Sequence, residues 1–228
     1  MGDSRTASVD LYWGMISASL LFAFLTGCHS KSVDNTAPTG LDPLEDNTAS
    51  YPTGTSDDPY PETLNLVSGS ADDYDWTHGR GYIDAPIQDV WDAMADPDTV
   101  VDRRRVQDWS TTLDTDPDYA VSFETANTST DIVTVEFDID WIEDVVDGSA
   151  DAPQTVGIRY QKVGGTDLVK LLAGSAQLVA ETDDTTGVEL IEHLDTVGSD
   201  STDIENYFTD LFASVLAVSH GEALPTYE

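Results

Sequence analysis

The chain has 228 residues, with 44 Asp and Glu against 9 Lys and Arg, so its net charge is −35 at neutral pH. That balance excludes a nucleic-acid partner, which needs a basic patch for phosphate, and it repels anionic lipid headgroups. A single cysteine, Cys28, excludes an internal disulfide, a thiolate metal cluster and an internal redox pair.

The first element is apolar. One positive charge, Arg5, precedes residues 11–25, which are apolar but for two serines and a glycine. As a helix these residues rise about 22 Å, short of the roughly 30 Å hydrocarbon core, so a cleavable export signal over 1–27 fits better than a permanent span. Thr26 and Gly27 are small, and Cys28 follows. The run Leu25-Thr26-Gly27-Cys28 resembles the lipobox of bacterial lipoproteins. The resemblance implies a diacylglycerol thioether on Cys28, cleavage before it and acylation of the new terminus, since stable anchoring takes more than one chain. Cleavage there removes Asp3, Asp10 and Arg5 and leaves a net charge of −34. By the same resemblance, His29 in place of an inner-membrane retention Asp points to the outer membrane of the cell envelope.

From Cys28 to residue 74 the chain is rich in Ser, Thr, Asp, Pro and Gly, with few apolar residues and no period. This composition predicts a disordered acidic tether, whose length gives an end-to-end distance of about 35–40 Å.

Residues 75–228 carry the periodic patterns of one domain. A short strand is expected over 79–84, then a helix with Asp84 as cap and Pro86 in its first turn. Ile87, Val90, Trp91 and Met94 form its apolar stripe. Asp96-Pro97 opens a second short helix that ends near Arg103, Arg104 and Arg105, where cations face the helix carbonyls. About six antiparallel strands follow. In the clearest, over 132–142, Val133, Val135, Phe137, Ile139 and Trp141 alternate with polar residues. Tyr119, Val121 and Phe123 alternate likewise, as do Val156, Ile158 and Tyr160. Residues 172–182 and 188–197 form a hairpin. Between the first two strands, Asp114, Asp116 and Asp118 alternate as in a calcium loop. However, Tyr119 stands where that loop needs glycine and Thr125 where it needs an acid, so no metal is expected. The last element is a long helix, opened by a Thr202–Glu205 capping box and stopped at Gly221. Ile204, Tyr207, Phe208, Leu211, Phe212, Val215 and Leu216 lie on one face of it.

This order resembles the START-like, or helix-grip, superfamily, which includes polyketide cyclase/aromatases, lipid-transfer domains and birch-pollen-allergen relatives. The residues that carry the likeness are 83–91, with Ala85-Pro86 and Val90-Trp91, then Leu172-Ala173-Gly174 with the late hairpin, and 201–221. The resemblance implies an α+β fold: a curved antiparallel sheet wrapped around a long C-terminal helix, with two short helices after the first strand and an apolar cavity between sheet and helix. Members bind hydrophobic molecules there, and some act on them.

In such a cavity Trp141, Tyr160, His193, Phe208 and Phe212 are the candidate lining residues, and His193 or Tyr160 the candidate acid or base. Arg103–Arg105 could receive a ligand carboxylate, though surface ion pairing is the plainer expectation. No phosphate loop, nucleophile elbow or paired-histidine zinc motif is present, and no cofactor is expected. The leading expectation is a monomeric lipoprotein that holds or carries a lipid, quinone or similar apolar molecule. The alternatives are a cyclase- or hydrolase-like enzyme in the same cavity, and a surface protein whose core is filled by its own side chains.

Overall fold

The computed structural model describes residues 33–130, 133–198 and 200–227; the leader and Cys28 lie outside them. Lys31–Glu228 forms a compact unit of its own. Its elements are β1 (Leu64–Ser70), β2 (Asp75–Ile83), α1 (Ile87–Met94), α2 (Pro97–Val100), β3 (Asp108–Leu113), β4 (Val121–Thr130), β5 (Thr134–Ser149), β6 (Ala152–Gly165), β7 (Val169–Thr182), β8 (Thr185–Thr196) and α3 (Ser201–Ser219). The strands form one antiparallel sheet in the order β1-β2-β8-β7-β6-β5-β4-β3, curved around α3 as a helix grip. Register shifts near Asp138 and around Val145–Gly148 of the long β5 supply local bends.

One face of this sheet is apolar by alternation. Ile139 and Trp141 of β5, Ile158 and Tyr160 of β6, and Val188 and Leu190 of β8 are buried together with Ile204, Phe208, Leu211 and Phe212 of α3. The stripe of α1, with Ile87, Val90, Trp91 and Met94, joins the same core. Phe212 reaches over β2 at Gly81, where an added Cβ would lie 2.8 Å from its ring.

Two expected caps are replaced. Asp84 does not cap α1: Pro86 takes that position, and the Asp84 N–H donates to Glu62 Oε1 at 2.8 Å. Asp200, not Thr202, caps α3 by accepting the Thr202 N–H at 2.8 Å, and Glu205 instead accepts from Ser68 Oγ. At α3 the Asp200 carboxylate reaches the free N–H first, whereas α1 starts at Pro86 with no side-chain cap. Gly221 does follow the C-cap, with φ +71°.

Of the stretch expected to be a tether over 28–74, the described residues 33–74 are instead part of the fold. Residues 64–70 are β1, and 33–63 lie as a strap along the outer face of the sheet. Asn47 Nδ2 donates to the carbonyls of Gly79 and Leu190 at 3.0 and 3.2 Å. The Leu44 N–H donates to Ser175 Oγ at 3.1 Å, and Arg80 and Arg159 donate to the carbonyls of Ala49 and Asp42. A polar strap needs few apolar residues of its own, because the sheet already supplies the buried surface; composition alone therefore reads it as disorder.

Glu143 continues the inward alternation of β5 and is fully buried. Its Oε2 accepts from Trp91 Nε1 at 2.7 Å, and Oε1 has no partner among the described residues. Burial pushes its carboxyl up to about 8. A carboxyl raised in the folded state stabilises fully below its unfolded value near 4.5, and that contribution is lost as the pH rises to about 8. Glu143→Gln should therefore flatten the stability profile between pH 5 and 8 and stabilise the domain at pH 8 by roughly 2–4 kcal/mol. Urea denaturation across that range checks this; an unchanged slope would place the charge elsewhere.

Candidate functional site

The side chains of α3 fill only one end of the grip. At the other end a cavity of about 420 Å³ remains between β4–β8, the segment 100–106 and the first turns of α3. Its walls are mainly apolar: Val135, Phe137, Ile139, Val169, Leu172 and Leu194 come from the sheet, and Val101 and Val106 from the segment after α2. Val133 and Val197, 59% and 69% exposed, mark its rim. The interior is thus not filled by its own aromatics.

The polar side of the cavity is built by one cross-strand row. Glu192 on β8 pairs with Gly174 on β7, Gly174 with Tyr160 on β6, Tyr160 with Trp141 on β5, and Trp141 with Phe123 on β4. The three aromatic rings stack in order, with centroids 5.6 Å and 4.2 Å apart. Gly174 is the gap that completes the row. The Tyr160 ring lies across it, so an added Cβ would stand 1.8 Å from Tyr160 Cζ. Across that gap the Tyr160 hydroxyl donates to Glu192 Oε2 at 2.6 Å.

Both groups are 2–3% exposed. Burial, with the nearby Tyr160 hydrogen bond opposing it, pushes Glu192 up to about 8, so the carboxyl is mostly protonated at neutral pH. Burial and the adjacent Glu192 also hold the Tyr160 hydroxyl well above its ordinary value. Tyr207 of α3 lines the same end, donating its hydroxyl to the Val100 carbonyl at 2.9 Å. Asp102 lines it as well; its Oδ1 accepts the backbone N–H groups of Arg104 and Arg105, and burial raises its carboxyl.

Trp141 and Tyr160 therefore line the cavity, whereas three other candidates do not. Phe208 and Phe212 belong to the packed end of the core. His193 points to the outer face, where its ring stacks on Tyr74 at 4.3 Å and its Nε2 lies 3.0 Å from Glu45 Oε1. Glu45, from the strap, also meets His78 Nε2 at 2.8 Å. Successive strand residues face opposite ways, so placing Glu192 inward sends His193 outward. The inward phase was legible as Val188, Leu190, Leu194, an apolar alternation interrupted by one acid at 192. The arginines are also engaged. Arg103 donates to the Pro225 carbonyl and Ser214 Oγ, Arg104 is bidentate to Asp210 at 2.8 and 2.9 Å, and Arg105 is held by Asp203. A ligand carboxylate would have to compete with these acceptors.

No protein-family model and no curated protein matches the sequence. Solved structures that resemble the chain include the human StarD13 lipid transfer and protein localization domain (12% identity, 71% of this chain and 85% of that one, TM-score 0.48). Others are an aromatase/cyclase from a Streptomyces species (12%, 70% and 93%, TM-score 0.41) and a STAR-related lipid transfer protein from Xanthomonas axonopodis (13%, 71% and 93%, TM-score 0.43).

Gly174→Ala should cost roughly 1–3 kcal/mol in urea denaturation by pushing against the Tyr160 ring. In a Tyr160→Ala background the same substitution should cost less than half as much. Equal costs in the two backgrounds would mean that Tyr160 does not lie on Gly174.

Proposed function

We propose that this chain is an exported lipoprotein whose domain holds or carries a lipid, quinone or similar drug-sized apolar molecule in the cavity under α3. The cavity is the observation that carries the reading. At about 420 Å³ it falls within the usual range of small-molecule pockets, roughly 300–1,000 Å³, and its walls are mainly hydrophobic with few convergent polar groups. The exposed Val133 and Val197 at the rim suit entry of an apolar ligand. Attachment rests on the lipobox-like run before Cys28, and the cell envelope, with the outer membrane favoured by His29, is the compartment we infer from it.

A second reading has its own observation. The Tyr160–Glu192 pair is the kind of buried acid that can donate or accept a proton from a bound molecule near neutral pH. An enzyme acting on the same ligand would use this pair and not His193.

Native mass spectrometry of residues 31–228 tests the binding reading; the strap and β1 are kept because they belong to the fold. A bound mass of a few hundred daltons that leaves on denaturation is the expected result. A clean apo mass, unchanged after incubation with a mixture of lipids and quinones, would contradict it. Anchoring is tested separately in the producing cell: Cys28→Ser should move the full-length protein out of the detergent-soluble membrane fraction. Retention in that fraction with no lipid mass on the N-terminal peptide would reject the lipid anchor.

A further inference from the structure

We propose that the polar end of the cavity selects an apolar ligand that carries a protonated amine, seated between Glu192 and Asp102 and against the rings of Trp141, Tyr160 and Tyr207. This deepens the small-molecule reading above and rests on it. Three carboxyl groups, on Asp102, Glu192 and Asp203, line the cavity against one guanidinium, Arg105. Arg105 is spent on Asp203. Among the described residues no ion pair includes Glu192 or Asp102. Arg103 and Arg104, the cations next in the chain, turn away to Ser214 and Asp210. Two acids thus stand in an apolar chamber whose one lining guanidinium, Arg105, is paired with Asp203 and acts on Asp102 only at longer range.

Buried acids are accommodated by neutralisation or by a partner of opposite charge. Burial holds the Glu192 carboxyl mostly neutral near pH 7. An arriving ammonium supplies the missing charge: Glu192 releases its proton to solvent, and the carboxylate and the ammonium form the pair. The aromatic faces beside it add the ring-quadrupole attraction that favours cations and offers nothing to an anion. A carboxylate or phosphate headgroup would lose its hydration in a mainly apolar chamber whose one lining guanidinium, Arg105, is already held by Asp203. An uncharged alcohol can hydrogen-bond to Glu192 but forms no ion pair with it and gains no ring-quadrupole attraction. The groups facing Glu192 are Tyr160 from β6, Thr77 across the β2 register, Asp102 and Arg105 after α2, and Tyr207 and Asp203 from α3.

The test compares n-octylamine, n-octanol and octanoate by titration calorimetry on residues 31–228, in 0.5 M NaCl to screen the acidic surface. Octylamine is expected to bind about tenfold or more tighter than octanol, with octanoate weakest. Its advantage should fall as the pH drops from 7 to 5, by up to about tenfold per unit, because binding releases the Glu192 proton and a higher proton activity opposes that release. Glu192→Gln, which can still hydrogen-bond to Tyr160 and leaves the surface charge unchanged, should bring octylamine to within about threefold of octanol. Octanol binding as tightly as octylamine would overturn the proposal and leave the apolar-ligand reading standing. So would octylamine binding that is indifferent to Glu192→Gln and to pH, since that is surface attraction. Should none of the three bind, the proposal and the reading beneath it both fall. The pH series on the unaltered domain decides the matter even if the variant does not fold.

Discussion

The structure depends on how far one apolar helix fills the sheet that grips it. Phe208 and Phe212 of α3 are large enough to close the end near β2, where Gly81 leaves room for the Phe212 ring. Toward its N-terminus the same helix presents Asp203 and Tyr207, which line a chamber without closing it. Burial of the aromatic end supplies the hydrophobic stabilisation, and the unfilled end is what remains for a ligand. A chain of this size can tolerate such a void only because the rest of its core is continuous from α1 through the sheet to α3.

The inner face carries two acids at costly positions. Glu143 sits in the packed end, with Trp91 as its one hydrogen-bond donor among the described residues; Glu192 sits in the cavity with Tyr160. Burial pushes both to about 8, yet only Glu192 faces a space that a molecule can enter. The difference lies in what covers each strand: α1 seals Glu143, while the segment after α2 and the first turns of α3 leave Glu192 accessible from the cavity. Of these two chemically similar carboxyls, Glu192 is the one that lines the cavity.

The outer face uses polar contacts where the inner face uses apolar ones. The strap over 33–63 hydrogen-bonds to backbone carbonyls of β2 and β8 and brings Glu45 between His78 and His193. It shields an otherwise bare sheet face in a chain whose net charge of −35 leaves few apolar or basic residues to spare. The same composition explains why the arginines after α2 are all engaged with carboxylates, carbonyls or hydroxyls.

By itself the sequence determined the element order, the inward phase of Trp141 and Tyr160 and the apolar stripes of α1 and α3, because periods of two and 3.6 are local consequences of backbone geometry. It also determined the lipobox-like run at Cys28. Only the tertiary structure decided that residues 33–63 and β1 belong to the domain, since their partners lie as many as 143 residues away along the chain, as for Asn47 and Leu190. The phase of β8, with Glu192 inward and His193 outward, was legible in the alternation of Val188, Leu190 and Leu194, but only the structure shows that the inward acid is held by Tyr160 at the wall of a cavity. It also decided that Gly174 is the gap through which Tyr160 reaches Glu192, because that contact exists only once three strands have paired in register.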